Sequence, residues 1–237
     1  MPRQRVTGTT RKGAIVHRPP LLVAIVGGSG AGKSWVADQL KDRLGSLAAR
    51  LSLDDFYRDR SHLPFARRAQ INYDHPRAID WVAAERVLRD CLSGRVARVP
   101  RYNFARHARV RANRILRPKP VILVDGLWWL RRPSLRRLFA LRIFLDCNRR
   151  LRLSRRMARD QCVRGRNKGS IHRQFRETVE PMNRRFVEPQ ARLAHIRLRS
   201  PVSDLQVSQL AERITKLLLA AEVPSANAQR VHLSQIR

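Results

Sequence analysis

The chain has 237 residues, 43% of them hydrophobic, which is enough for a core and too many for a chain disordered throughout. Its 50 Lys plus Arg outnumber 18 Asp plus Glu, for a formal net charge of +32, and 44 of the basic residues are arginine. That excess excludes a neutral, inert surface and favours nucleotides, nucleic acid or acidic membranes as partners, although an arginine-rich coding bias alone can also load a surface.

Residues 1–19 hold five basic residues and no acid and read as a flexible basic tail. From Leu21 to Val26 the chain is continuously apolar and rich in β-branched residues, as in a strand buried on both faces. A helix follows from Lys33 to Leu44, stopped by Gly45. Leu51–Leu53 reads as a short strand and 58–77 as loop. Asp80 can cap a helix whose face carries Trp81, Ala84, Leu88 and Cys91 and which ends at Gly94. Arginine-rich extended pieces over 96–116 suggest a β-hairpin excursion. Val121–Val124 and Leu141–Leu145 are further buried-strand runs, and a basic helix over Arg149–Val163 comes next. Another helix starts near Ile171, with Pro181 and Pro189 predicted to interrupt it, and His195–Leu198 is a last strand. Ser203 and Gln206 form a capping-box pattern ahead of Val207, Leu210, Ile214, Leu217 and Leu218 on one helical face. Strands alternating with helices predict an α/β fold, a three-layer sandwich on a mainly parallel sheet of about five strands. One unit over 20–222 and a polar tail over 223–237 complete the layout. Cys91, Cys147 and Cys162 are too scattered for a disulfide framework or a zinc site, no apolar run approaches the roughly 20 residues of a membrane span, and a reducing cytoplasmic setting is expected.

Gly27-Gly28-Ser29-Gly30-Ala31-Gly32-Lys33-Ser34 fits G-x-x-x-x-G-K-[ST] directly after a buried strand and at the start of a helix. Backbone N–H groups freed of Cβ atoms can curl around a phosphate, and the helix N-terminus adds partial positive charge. Lys33 would reach the β- and γ-phosphates and Ser34 a Mg²⁺ ion, so the motif predicts a nucleoside triphosphate as donor. Asp125 ends the Val121–Val124 run and suits the metal-side acid, or else a turn residue capping the next helix.

Three further segments, Ser52-Leu53-Asp54-Asp55-Phe56-Tyr57, Asn72-Tyr73-Asp74-His75-Pro76 and Pro100-Arg101-Tyr102-Asn103-Phe104-Ala105-Arg106-His107, come after the phosphate loop in that order. With Arg155-Arg156-Met157-Ala158-Arg159-Asp160, Arg164-Gly165-Arg166, Gln174-Phe175 and Pro181, the chain resembles the uridine kinase branch of the uridine kinase/phosphoribulokinase P-loop kinases over about Leu21–Leu198. The resemblance implies transfer of the ATP γ-phosphoryl group to the 5′-hydroxyl of uridine or cytidine, with Mg²⁺, in pyrimidine salvage. Asp54 matches the catalytic aspartate, a base for a poorly nucleophilic hydroxyl, where the alternative is a turn cap. Asp74 matches the aspartate that holds the ribose diol, where the alternative is an ion pair. Tyr57, Tyr102, Phe104 and His107 match positions around the nucleoside, and each could otherwise be core. Arg156, Arg159, Arg164 and Arg166 match an arginine lid over about 149–170, with Arg159 catalytic, and Gln174 matches an acceptor contact. Residues 131–173 hold 15 basic residues against Asp146 and Asp160, so many of these arginines are surface charge. The resemblance also implies a homo-oligomer.

Departures bear on the acceptor. Asp125 stands where the family often has Glu and Asn103 where it often has Asp, while Arg101 and Arg106 add charge to the hairpin. Those changes would suit a more anionic acceptor such as a sugar phosphate. A nucleic-acid-binding P-loop ATPase is the reading that the charge of +32 motivates, as is non-specific binding of polyanions.

Overall fold

An apolar run stays extended only where both faces are covered, and β1 (Leu21–Gly27) is buried along nearly its whole length. The computed structural model describes residues 18–222; residues 1–17 of the basic tail and the polar tail 223–237 lie outside the described residues. β1 is the central strand of a five-stranded sheet, between β5 (Val121–Gly126) and β6 (Leu141–Asp146). β2 (Ala48–Ser52) joins outside β5 and β7 (Ile196–Arg199) outside β6, so the order is β2-β5-β1-β6-β7. Every pairing in that sheet is parallel.

Alternation along β1 divides the core into two layers. Val23 and Ile25 pack with Val36 and Leu40 of α1 (Lys33–Leu44) and with Val207 and Ile214 of α8 (Asp204–Glu222). Leu22, Ala24 and Val26 face the other way, against Leu88 of α3 (Trp81–Leu92) and the fully buried Trp128 and Trp129. Each buried Val, Leu or Ile among them contributes about 1.5–3 kcal/mol. The result is an α/β sandwich of helix, sheet and helix.

The helix ends follow their local chemistry. Asp80 Oδ1 accepts the Ala83 N–H at 3.1 Å and starts α3. Gly45, at φ 55°, terminates α1. Ser203 and Gln206 bond reciprocally, with Ser203 N–H to Gln206 Oε1 at 3.0 Å and Gln206 N–H to Ser203 Oγ at 3.2 Å, ahead of α8.

β3 (Ala97–Asn103) and β4 (Ala108–Leu116) form a separate antiparallel hairpin. Two expectations need correction. The stretch 58–77 contains a short helix, α2 (Phe65–Ala69), none of whose residues is buried, so it leaves no amphipathic signal. Between β5 and β6 lies α4 (Pro133–Arg136), followed after β6 by α5 (Arg149–Arg164) and α6 (Lys168–Gln174). Pro181 does not break the helix. The chain stays wound through a π turn (Phe175–Val179), α7 (Glu180–Met182) and a second π turn (Asn183–Val187). The wider i→i+5 register accommodates the residue that lacks an N–H. Among the described residues, no helix is long and apolar enough to cross a membrane.

Candidate active site

The carboxyl ends of β1, β2 and β5, the first turn of α1, α5, α6 and the hairpin tip surround one cavity of about 630 Å³. Ligands of open parallel sheets bind at this edge. Ser29, Gly30, Gly32, Lys33 and Ser34 line it; Gly27, Gly28 and Ala31 complete the turn behind them. Gly30 takes φ 81° and Gly32 φ 93°, and a Cβ on Gly30 would lie 2.4 Å from the Arg152 carbonyl oxygen. The loop therefore lies directly on α5 and leaves no room for a side chain there.

Lys33 donates to the Gly28 carbonyl at 2.9 Å. Burial pushes it down to about 8, Asp54 and Asp125 oppose that shift, and Arg159 and Arg152 add to it. A cation so depressed lacks a full complement of negative charge.

Ser34 Oγ donates to Asp125 Oδ2 at 3.0 Å. Asp125 does not cap a helix; its carboxylate is held by Arg50, with Nε to Oδ1 at 2.9 Å and Nη2 to Oδ2 at 3.2 Å. Arg50 is anchored in turn by Asp38 of α1, at 2.7 and 2.9 Å. A hydroxyl and a carboxylate beside a phosphate loop fit Mg²⁺, a hard cation that takes one or two protein oxygens and fills its remaining positions with water and substrate phosphate. Residues able to hold it are Ser34 and Asp125.

Asp54 sits in the turn that leaves β2 and lines the cavity, close enough to act electrostatically on Lys33. Asp55 turns away and pairs with Arg114 of β4 at 3.3 Å. Asp74 is buried and accepts from Thr178 Oγ1 at 3.4 Å; Arg156 lies 3.8 Å away. It lines the same cavity as Asp54, so its ion pair and its access to a ligand coexist.

The hairpin supplies an aromatic wall. Tyr57 lies 5.1 Å from Tyr102 and 6.0 Å from Phe104, ring centre to ring centre, and His107 stacks on Tyr73 at 4.9 Å. His107 takes φ 48° at the hairpin tip, which turns its ring inward. Burial pushes the Tyr102 hydroxyl far up, and the Tyr73 hydroxyl beside it adds to the shift. Arg101 and Arg106 do not line the cavity, and Asn103 caps the turn by accepting the Arg106 N–H at 3.0 Å.

Arg156 is almost fully buried and connects Ser29 Oγ at 3.0 Å with Gln174 Oε1 at 2.9 Å. Arg166 donates to Gln174 and to Ser170 Oγ. Arg159 pairs with Asp160 at 2.8 Å and lines the cavity. The Arg164 side chain lies outside the described residues. Asp160, fully buried, faces Arg156, Arg159 and Arg166 together and organises the group. Sequence reasoning missed this hub, together with Arg50, Tyr73, Trp35 and Arg155. Of these, Tyr73, Arg155 and Asp160 lie inside the matched motifs, each adjacent to a predicted site residue.

The profile of the Phosphoribulokinase / Uridine kinase family matches residues 22–206. The chain belongs to this family. A relative named uridine kinase from Halobacterium salinarum is 34% identical over 196 residues, 83% of this chain and 87% of that protein. Another uridine kinase, from Staphylococcus haemolyticus, is 37% identical over 176 residues, 74% of this chain and 85% of that protein. The solved structure of phosphoribulokinase from Rhodobacter spheroides superimposes with a TM-score of 0.56 at 19% identity, over 77% of this chain and 70% of that one. That likeness concerns the fold. All the lining residues named above fall within the matched segment.

Proposed function

We propose that the protein transfers the γ-phosphoryl group of ATP to the 5′-hydroxyl of uridine or cytidine. The carrying observation is that one cavity holds Lys33 of the phosphate loop, the Asp54 carboxylate, the buried Asp74 and the aromatic wall. Relatives named uridine kinase over most of the chain support the same reading.

In this reading the ribose hydroxyls lie on Asp74 and the pyrimidine lies among Tyr57, Tyr102, Phe104 and His107, with Gln174 and Arg156 alongside. The 5′-oxygen forms a bond to the γ-phosphorus as the bond to the bridging oxygen of the β-phosphate breaks. Asp54 accepts the hydroxyl proton, and ADP leaves. The loop amides and Lys33 hold the donor's phosphates; Arg159, Arg156 and Arg166 offset charge on the transferring group. Mg²⁺, when bound, screens the phosphate oxygens and aligns donor and acceptor. Two features lower the rank of a sugar phosphate as acceptor: the wall is aromatic, and the extra hairpin arginines do not line the cavity. Phosphorus NMR of ATP with uridine or cytidine tests the proposal: nucleoside 5′-monophosphate appears with ADP, one for one. ADP and free phosphate alone, or a sugar phosphate as the better acceptor, would reject it.

A further inference from the structure

A second concavity, of about 1250 Å³, shares no lining residue with the first. Six guanidinium groups converge on it from four stretches of chain: Arg58 and Arg60, Arg77, Arg131 and Arg132, and Arg185. Among the described residues its only acidic lining residue is Asp59, whose oxygens already accept from the Ser61 N–H at 3.1 Å, the Ser61 hydroxyl at 2.9 Å and the Arg109 N–H at 3.2 Å.

Three of the six arginines stack on aromatic rings, and Arg58 Nε donates to the Arg77 carbonyl at 3.2 Å. Arg131 lies 4.6 Å and Arg185 5.2 Å from the ring centre of Phe186, and Arg132 lies 5.4 Å from that of Trp81. Stacked guanidiniums keep their N–H edges for an anion and lose little freedom on binding it. His75 records the field: burial and the charges of Arg77, Arg185 and Arg131 push its imidazole below the ordinary range. Several cations around a space far larger than one phosphate, with the exposed His62 ring and the partly exposed Trp81 and His75 rings among them, suit a chain of phosphates carrying bases.

We infer that this groove binds single-stranded nucleic acid, a function separate from the phosphoryl-transfer site. The groove, not the net charge, is the recognition element, and an equal-charge control separates the two. Binding of a labelled single-stranded oligoadenylate is followed by fluorescence anisotropy across a salt series. The groove variant Arg131→Gln/Arg132→Gln/Arg185→Gln is compared with Arg98→Gln/Arg111→Gln/Arg117→Gln, three exposed arginines that line neither concavity. The groove variant loses at least about tenfold in affinity at moderate salt, and its log–log salt slope becomes shallower by about 2 from three lost phosphate contacts. The control stays within about twofold of the parent, and both variants keep the nucleoside-dependent ATP turnover of the parent. Equal losses in both variants, or no loss in either, overturn the inference. Inorganic polyphosphate is the competitor arm: competition as strong, charge for charge, as unlabelled oligoadenylate overturns the nucleic-acid assignment, because bases on the rings would then add nothing.

Discussion

ATP binding changes the proton balance at Lys33. In the free protein, burial holds this lysine at about 8, against an ordinary value of 10.5. Phosphates in the loop supply the missing counter-charge and return it towards 10.5. A site whose pKa rises on binding takes up protons in the window between its two values. At pH 9 the free residue carries about 0.1 proton and the bound residue nearly one, so binding takes up about 0.9 proton. At pH 7 the free residue is already about 0.9 protonated and uptake falls to about 0.1. Affinity for ATP therefore falls close to tenfold for each pH unit from about 8.5 to 10. Calorimetric titration of ATP with Mg²⁺ and no acceptor, in buffers of different ionisation heat at pH 9, reads the proton number directly. Phosphate's own last proton titrates near 6 and does not contribute there. Uptake below about 0.2 proton, or the same uptake in Lys33→Met, would refute the reasoning.

Other substitutions separate geometry from chemistry. Gly30→Ala must place a Cβ 2.4 Å from the Arg152 carbonyl oxygen at φ 81°, so ATP binding by equilibrium dialysis should weaken at least about tenfold. Arg152→Met leaves buried Glu180 with only the exposed Arg184, 3.4 Å away, and should cost about 1.5–3 kcal/mol, read as a fall in Tm of at least about 3 °C. Arg50→Met releases the Asp125 carboxylate and should raise KM for ATP about tenfold with KM for the acceptor unchanged; Arg50→Lys should not rescue it, because an ammonium cannot match both oxygens.

Much of the fold was legible because its signals are local. Leu21–Val26 is short, apolar and followed by the glycine loop, and both the strand and the turn fall where the pattern puts them. Asp80 and the Ser203–Gln206 pair carry their capping partners within three residues. The features that escaped depend on distant chain. Arg50 in β2 looks like an ordinary charge until β5 brings Asp125 beside it, 75 residues further along. Asp160 is the exception: Arg156, Arg159 and Arg166 all lie within six residues of it, but nothing local marks this one acid in a basic helix as fully buried. The π turns around Pro181 have no propensity signal, since the proline argues for a break and tertiary packing of Phe175, Val179 and Phe186 overrides it.

The central claim is that Asp54 is the base for a nucleoside hydroxyl in this cavity. The most direct measurement is steady-state ATP turnover with uridine, cytidine, other nucleosides, pantothenate, glycerate and ribulose 5-phosphate, run on the parent and on Asp54→Asn. Turnover should respond to uridine or cytidine. The variant should lose about 10²–10⁴-fold in kcat with KM for nucleoside nearly unchanged, as removal of a general base requires. Retention of kcat within about threefold in Asp54→Asn, or stimulation by ribulose 5-phosphate rather than a nucleoside, would contradict the account.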